Sequence, residues 1–133
     1  MKPLVIDTNV LIELFEHDYK LPDMFRRYDC IHLPATVIGE YKAGITDSRQ
    51  GRMSSRKLAD YLAHETVEAV PITDATAEMY AKVFKTLKAQ GRPIPQNDMW
   101  IAASALEHGA DILTHNEHFR AVPMLTVIIP EQE

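Results

Sequence analysis

The chain has 133 residues, 46% of them hydrophobic, a formal net charge of −5 and a single cysteine. That length and apolar fraction suit one domain spanning 1–133 with its own core, and the lone Cys30 excludes an internal disulfide, so a reducing, cytoplasmic setting is expected. The negative charge argues against a protein that coats DNA through its backbone, and no apolar run reaches the roughly 18–20 residues of a membrane span.

In chain order, Leu4, Val5 and Ile6 predict a strand that ends at Asp7, and Val10, Leu11, Leu14 and Phe15 then recur at helical spacing. A second cycle predicts a strand over 31–33, helix entry at Pro34 and a helix over 36–45 that carries Glu40. Residues 46–53 are polar and break the pattern, after which Leu58, Tyr61 and Leu62 mark a further helix. Residues 67–72 predict a strand, and Thr73 or Asp74 opens a helix whose Tyr80, Phe84 and Leu87 row is assigned to the core. Gly91, Pro93 and Pro95 punctuate the chain before a helix that Asn97 is suited to cap and Gly109 ends. Two closing strands are expected at 112–113 and 125–129. Strands alternating with helices imply an α/β domain with a central, mostly parallel sheet of four to five strands covered on both faces. Ligands of such sheets bind beyond the carboxyl ends of the strands, so polar residues just after a strand are the ones to inspect.

Asp7 stands at such an end, although Asp7, Thr8 and Asn9 are equally good helix-capping types. Glu40 lies on a small, partly apolar helix surface, where a lone Glu is ordinarily just solvated. Asp98 is more informative, because Ile101, Ala102 and Ala105 at i+3, i+4 and i+7 place it on the face the helix should bury. A carboxylate there needs a partner, and the helix N-terminus supplies only part of one. A fourth acidic group is expected after the strand at 112–113, where Asn116 and Glu117 compete for the role; Asp111, at the far end of that strand, reads as a turn residue. Two unit charges about 4 Å apart cost about 4 kcal/mol at an effective dielectric near 20, so three or four converging carboxylates demand cations. Hard oxygen ligands suit Mg2+ or Mn2+, which also bind phosphate oxygens and so point to phosphoryl chemistry.

Taken together, VIDTNVLI with Asp7, PATVIGEYKAG with Glu40, GRPIPQNDMWIAASALEHGADILTHNEHF with Asp98, and the closing PMLTVI cover nearly the whole chain and resemble the PIN-domain family, in particular its VapC branch. The resemblance implies a three-layer α/β/α domain. It further implies that Asp7, Glu40 and Asp98 hold one or two Mg2+ or Mn2+ ions and activate water for phosphodiester hydrolysis in RNA, leaving 5'-phosphate and 3'-hydroxyl ends. Thr8, Asn9 and Thr36 would be the supporting polar shell. Many relatives carry Asp where Asn116 stands, so the departure concerns the fourth acid and, with it, the number of ions. The family pattern also implies structured RNA such as tRNA or an rRNA loop as substrate, inhibition of translation, self-pairing, and a small VapB-like antitoxin whose Arg or Lys would compete with the metal at the acidic pocket. Operator DNA binding would belong to the antitoxin, and apolar positions on the first helices are where self-pairing would be sought.

Arg49, Arg52, Arg56 and Lys57 offer a local basic patch for a phosphate backbone, or simply a solvated helix face. His108, His115 and His118 suggest zinc, but no cysteine accompanies them at a familiar spacing. Trp100, in so apolar a helix, reads as a core or dimer residue. Three other readings stay open: an aspartyl-phosphate phosphatase built on Asp7, against which Asn9 stands where a second Asp is usual; a PIN-like RNA-processing nuclease; and a non-catalytic PIN-like binding module.

Overall fold

The computed structural model describes residues 2–16 and 23–130. Its centre is β1 (Leu4–Ile6), three residues with no solvent exposure, as expected of a strand covered on both faces. Around it lie β2 (Ile31–Pro34), β3 (Val67–Val70), β4 (Asp111–Leu113) and β5 (Val127–Ile128) in one five-stranded sheet of order β3-β2-β1-β4-β5. Every neighbouring pair is parallel. The chain builds outward from β1 to β2 and β3, then crosses back to β4 on β1's other side. That reversal puts the carboxyl ends of β1 and β4 at the switch point, where sheets of this kind keep their sites.

The helices are α1 (Thr8–Glu16), α2 (Ala35–Ala43), α3 (Arg49–Leu62), α4 (Asp74–Gln90) and α5 (Gln96–Glu107), with 3-10 turns at Asp23–Arg27 and Glu117–Ala121. In α5, residues 98, 99 and 101–105 are all buried; runs of alanine let a helix enclosed on nearly all sides lie close to its neighbours. The α4 entry is fixed by the Thr73 N–H, which donates to Thr76 Oγ1 at 3.0 Å, and the Thr76 hydroxyl in turn donates to Glu107 Oε1 at 2.5 Å, tying α4 to α5. Phe15 closes α1 edge-on against Tyr41 of α2 and Tyr61 of α3.

Several expectations are corrected at the element ends. The helix at 96–107 is entered from Pro95 rather than capped by Asn97, because Pro95 already supplies the carbonyl that Asp98 and Met99 donate to. The last strand contracts to Val127–Ile128, the only part of that segment that pairs with β4. Asp111 is no turn residue: it starts β4, buried, where Lys2 Nζ lies 2.6 Å away and Tyr28 donates its hydroxyl at 2.7 Å. Of the Tyr80, Phe84 and Leu87 row, Leu87 is core, Tyr80 is half-buried against the core, and Phe84 departs from the expectation. Phe84 is 45% exposed, and Tyr80 lies flat against Trp100 of α5, ring centroids 4.0 Å apart.

Gly51 shows how α3 starts. Ser48 caps the helix by accepting the Gly51 N–H at 3.1 Å, and the preceding loop folds back so far that a Cβ on residue 51 would sit 1.7 Å from the Thr46 carbonyl oxygen. Gly51→Ala is expected to cost about 1–3 kcal/mol by this backbone collision, measured by urea unfolding. A gain in stability, as from an ordinary helix-interior alanine, would contradict it.

Among the described residues, no helix is long and apolar enough to cross a membrane.

Candidate active site

Asp7 is the hub. It leaves β1 with 3% exposure and its backbone N–H bonded to the Leu113 carbonyl of β4, which fixes it at the switch point. Its Oδ1 accepts the Thr8 N–H at 2.8 Å, while Oδ2 accepts the Thr114 hydroxyl at 2.6 Å and the Asn9 amide at 3.3 Å. The Asp7 side chain thus satisfies the start of α1 while standing at the switch point.

Thr8 also links the second carboxylate, donating its hydroxyl to Glu40 Oε1 at 2.9 Å. Thr36, half-buried one turn earlier on α2, shares Glu40's helix face. Asn9 reaches further, since its Oδ1 accepts the His115 N–H at 3.2 Å and so joins α1 to the segment after β4.

Asp98, in the first turn of α5, is 9% exposed. Burial first and the nearby Asp7 charge second push its carboxyl above the usual carboxylate range, while His118, whose Nε2 is 2.6 Å from Asp98 Oδ2, pulls the other way. Asp98 therefore lies near enough to Asp7 to feel its charge, while His118 holds one of its oxygens.

His118 was missing from the sequence-derived set. The three histidines read there as a weak zinc motif part company: His108 Nδ1 meets the Ser104 carbonyl, His115 Nε2 meets Glu13, and only His118 reaches the site. The usable signal was its position one residue before Phe119, whose full burial turns the 3-10 segment and presents His118 to α5.

The fourth position is divided. Asn116 is half-buried, and its N–H donates to Thr114 Oγ1 at 3.0 Å, within two bonds of Asp7 Oδ2; Glu117 is exposed on the 3-10 segment. Arg49, Arg52 and Arg56 are exposed along α3, whereas the Lys57 ammonium is engaged at 2.8 Å by the Phe15 carbonyl at the end of α1. Such a contact satisfies a helix C-terminus.

The donor types of Asp7, Glu40 and Asp98 suit a divalent ion with oxygen preference, because all three offer carboxylates. Their oxygens are spread across the site: among the described residues, the three donors that lie within 4.8 Å of one another belong to Cys30, His32 and Glu68 instead. Ions such as Mg2+ that retain several waters are suited to a spread set.

A model of the PIN domain matches residues 4–125. Ribonuclease VapC4 of Mycobacterium tuberculosis is 31% identical over 122 residues, covering 92% of this chain and 92% of that protein. The VapBC-1 structure from nontypeable Haemophilus influenzae superposes with a TM-score of 0.80 at 28% identity, over 96% of this chain and 97% of that one. VapBC2 of Rickettsia felis, bound to a promoter DNA fragment, shares the fold with a TM-score of 0.84 at 19% identity, over 97% and 99%. With a buried Asp7–Asp98 pair at the switch point of an all-parallel sheet, and with matches that run almost end to end, this chain belongs to the PIN-domain family and to its VapC ribonuclease branch.

Proposed function

We propose that the chain is a Mg2+- or Mn2+-dependent endoribonuclease that cuts structured RNA, with tRNA the first substrate to test and an rRNA loop the second, and thereby inhibits translation in the cytoplasm. The observation that carries this reading is the gathering of carboxylates at one end of the sheet, with Asp7 joined through Thr8 to Glu40 and Asp98 buried near enough to feel the Asp7 charge. Asp7, Glu40 and Asp98 would hold the ion, which when bound supplies Lewis acidity and an activated water for phosphodiester hydrolysis. Water adds to phosphorus, the bond to the 3'-oxygen breaks, and the products carry a 5'-phosphate and a 3'-hydroxyl.

The chain's own groups prepare that site. Thr114 and Asn9 fix Asp7, Thr8 fixes Glu40, and His118 holds one oxygen of Asp98 while leaving the other for a ligand. His118 is a positioning residue in this reading. His118→Gln is expected to raise the Mg2+ concentration at half-maximal cleavage by about 10–100-fold, as loss of an outer partner of a ligating carboxylate does. An unchanged midpoint with altered stability alone would show a merely structural role. Arg49, Arg52 and Arg56, exposed along α3, are suited to a phosphate backbone.

Similar folds occur in VapBC-5 of Mycobacterium tuberculosis, a member of the VapBC family of toxin–antitoxin systems, and in a toxin–antitoxin complex from Klebsiella pneumoniae. By that analogy we assign a VapB-like antitoxin as partner, with a cationic side chain that enters the acidic site in place of the metal, self-pairing within the complex, and DNA contacts made by the antitoxin. The test is cleavage of a tRNA panel by the purified chain with Mg2+ or Mn2+ against EDTA. Discrete cuts that vanish with chelator support the reading. Inactivity of the metal-loaded protein on tRNA and total RNA would favour a non-cutting binding module.

A further inference from the structure

At the opposite end of the sheet lies a second cluster of ligating side chains. Cys30 immediately precedes β2, His32 follows two residues later on the same face, and the parallel register sets Glu68 of β3 beside His32. One donor atom from each of the three lies within 4.8 Å of the other two. The register of β1 with β2, Leu4 against Ile31, puts Cys30 level with Pro3, about 13 Å along the strand direction from Asp7 at 3.3 Å per residue.

His32 is the unusual member. It is 6% exposed, yet its Nδ1 has no hydrogen-bond partner, and its Nε2 stands 3.6 Å from Glu68 Oε2, longer than an ordinary N–H···O bond. Buried imidazole nitrogens are nearly always paired, so a ring with Nδ1 unbonded and Nε2 only loosely opposite Glu68 has a donor or acceptor to spare for a partner. Burial first, and then the neighbouring His108 ring, keep the His32 imidazole below its ordinary pKa against the opposing pull of Glu68, so the ring is neutral, the form that ligates metals. The His108 ring stands edge-on at a centroid distance of 5.0 Å and walls one side. Burial falls from His32 through Cys30 to the exposed Glu68, which leaves a way in from solvent.

We propose that Cys30, His32 and Glu68 form a transition-metal site, taking Zn2+ first, separate from the acidic site. One sulfur, one nitrogen and one carboxylate oxygen make a borderline-soft set, unlike the all-oxygen donors at Asp7, Glu40 and Asp98, and three protein ligands leave a fourth tetrahedral position for water. On binding, the Cys30 thiol gives its proton to solvent and the thiolate takes the metal.

The experiment is a Co2+ titration of the full chain followed by absorption, with Zn2+ then added in competition. A thiolate-to-cobalt charge-transfer band in the near ultraviolet is expected, displaced by Zn2+ at one equivalent. It should be absent in Cys30→Ser, unchanged in Asp98→Asn, and accompanied by at least tenfold weaker Zn2+ binding in Glu68→Gln, a surface change that leaves the fold intact by circular dichroism. Absence of the band in the parent protein, its persistence in Cys30→Ser, or parent-like Zn2+ affinity in Glu68→Gln would overturn the proposal.

Discussion

Asp98→Asn is expected to reduce RNA cleavage by at least about 100-fold, the lower range for removing one electrostatic stabiliser of a transition state, without weakening the metal-free fold. The second half follows from the direction of the Asp98 shift. Burial and Asp7 raise its folded pKa above the unfolded value despite His118, so the stability contributed by the protonated form is complete below the unfolded carboxylate range and is lost as pH rises through the folded value. As pH rises and its carboxyl ionises, Asp98 therefore burdens the metal-free protein. In EDTA at pH 7 the variant should melt at or above the temperature of the parent, and the gap should close toward acidic pH. Adding Mg2+ should raise the melting temperature of the parent and leave that of the variant nearly unmoved. Parent-like cleavage would sink the assignment of Asp98, and a variant that melts well below the parent in EDTA would show that its role is structural.

Phe119→Ala should cost about 3–5 kcal/mol, the range for deleting a fully buried aromatic ring. Phe119 has no exposed surface and is among the largest side chains wholly enclosed in the core. It anchors the 3-10 segment that carries His118 to Asp98 and follows Asn116, so the loss should reach activity as well as stability. Urea unfolding gives the first quantity. Cleavage measured at a temperature where the variant is still folded gives the second, and its Mg2+ midpoint should move in the same direction as that of His118→Gln. Glu117→Ala, two positions earlier and exposed, should stay within about 0.5 kcal/mol of the parent. A Phe119→Ala protein with parent stability would mean that the segment is held by something other than this ring.

The parts of the site that were legible in the sequence are those a single element dictates. Asp7 follows an apolar run, and Asp98 sits on a helix face made of Ile101, Ala102 and Ala105, so period and position alone placed both at the carboxyl ends of buried strands or in the packed layer. Glu40 depended on its company, and the Thr8 bond that joins it to Asp7 spans elements no local pattern connects. His118 and Thr114 escaped for the same reason. Each is ordinary in its own segment and becomes part of the site through contacts 20 and 107 residues away. Phe84 misled in the other direction, because a helical row has core periodicity whether or not another layer covers each of its members. The Cys30, His32 and Glu68 group was equally invisible, since a lone cysteine acquires neighbours only through strand register.

The central position of β1 has a further consequence in time. Its two neighbours are β2, made soon after it, and β4, whose Thr114 side of the Asp7 hydrogen bond is synthesised 107 residues later. At translation rates of about 5–20 residues per second, the first carboxylate waits roughly 5–20 s on the ribosome for the groups that orient it. Throughout that interval the site proposed around Asp7 lacks the Thr114 bond that orients its first carboxylate. A binding partner that captures the chain before β4 docks would meet it with that proposed site still unassembled.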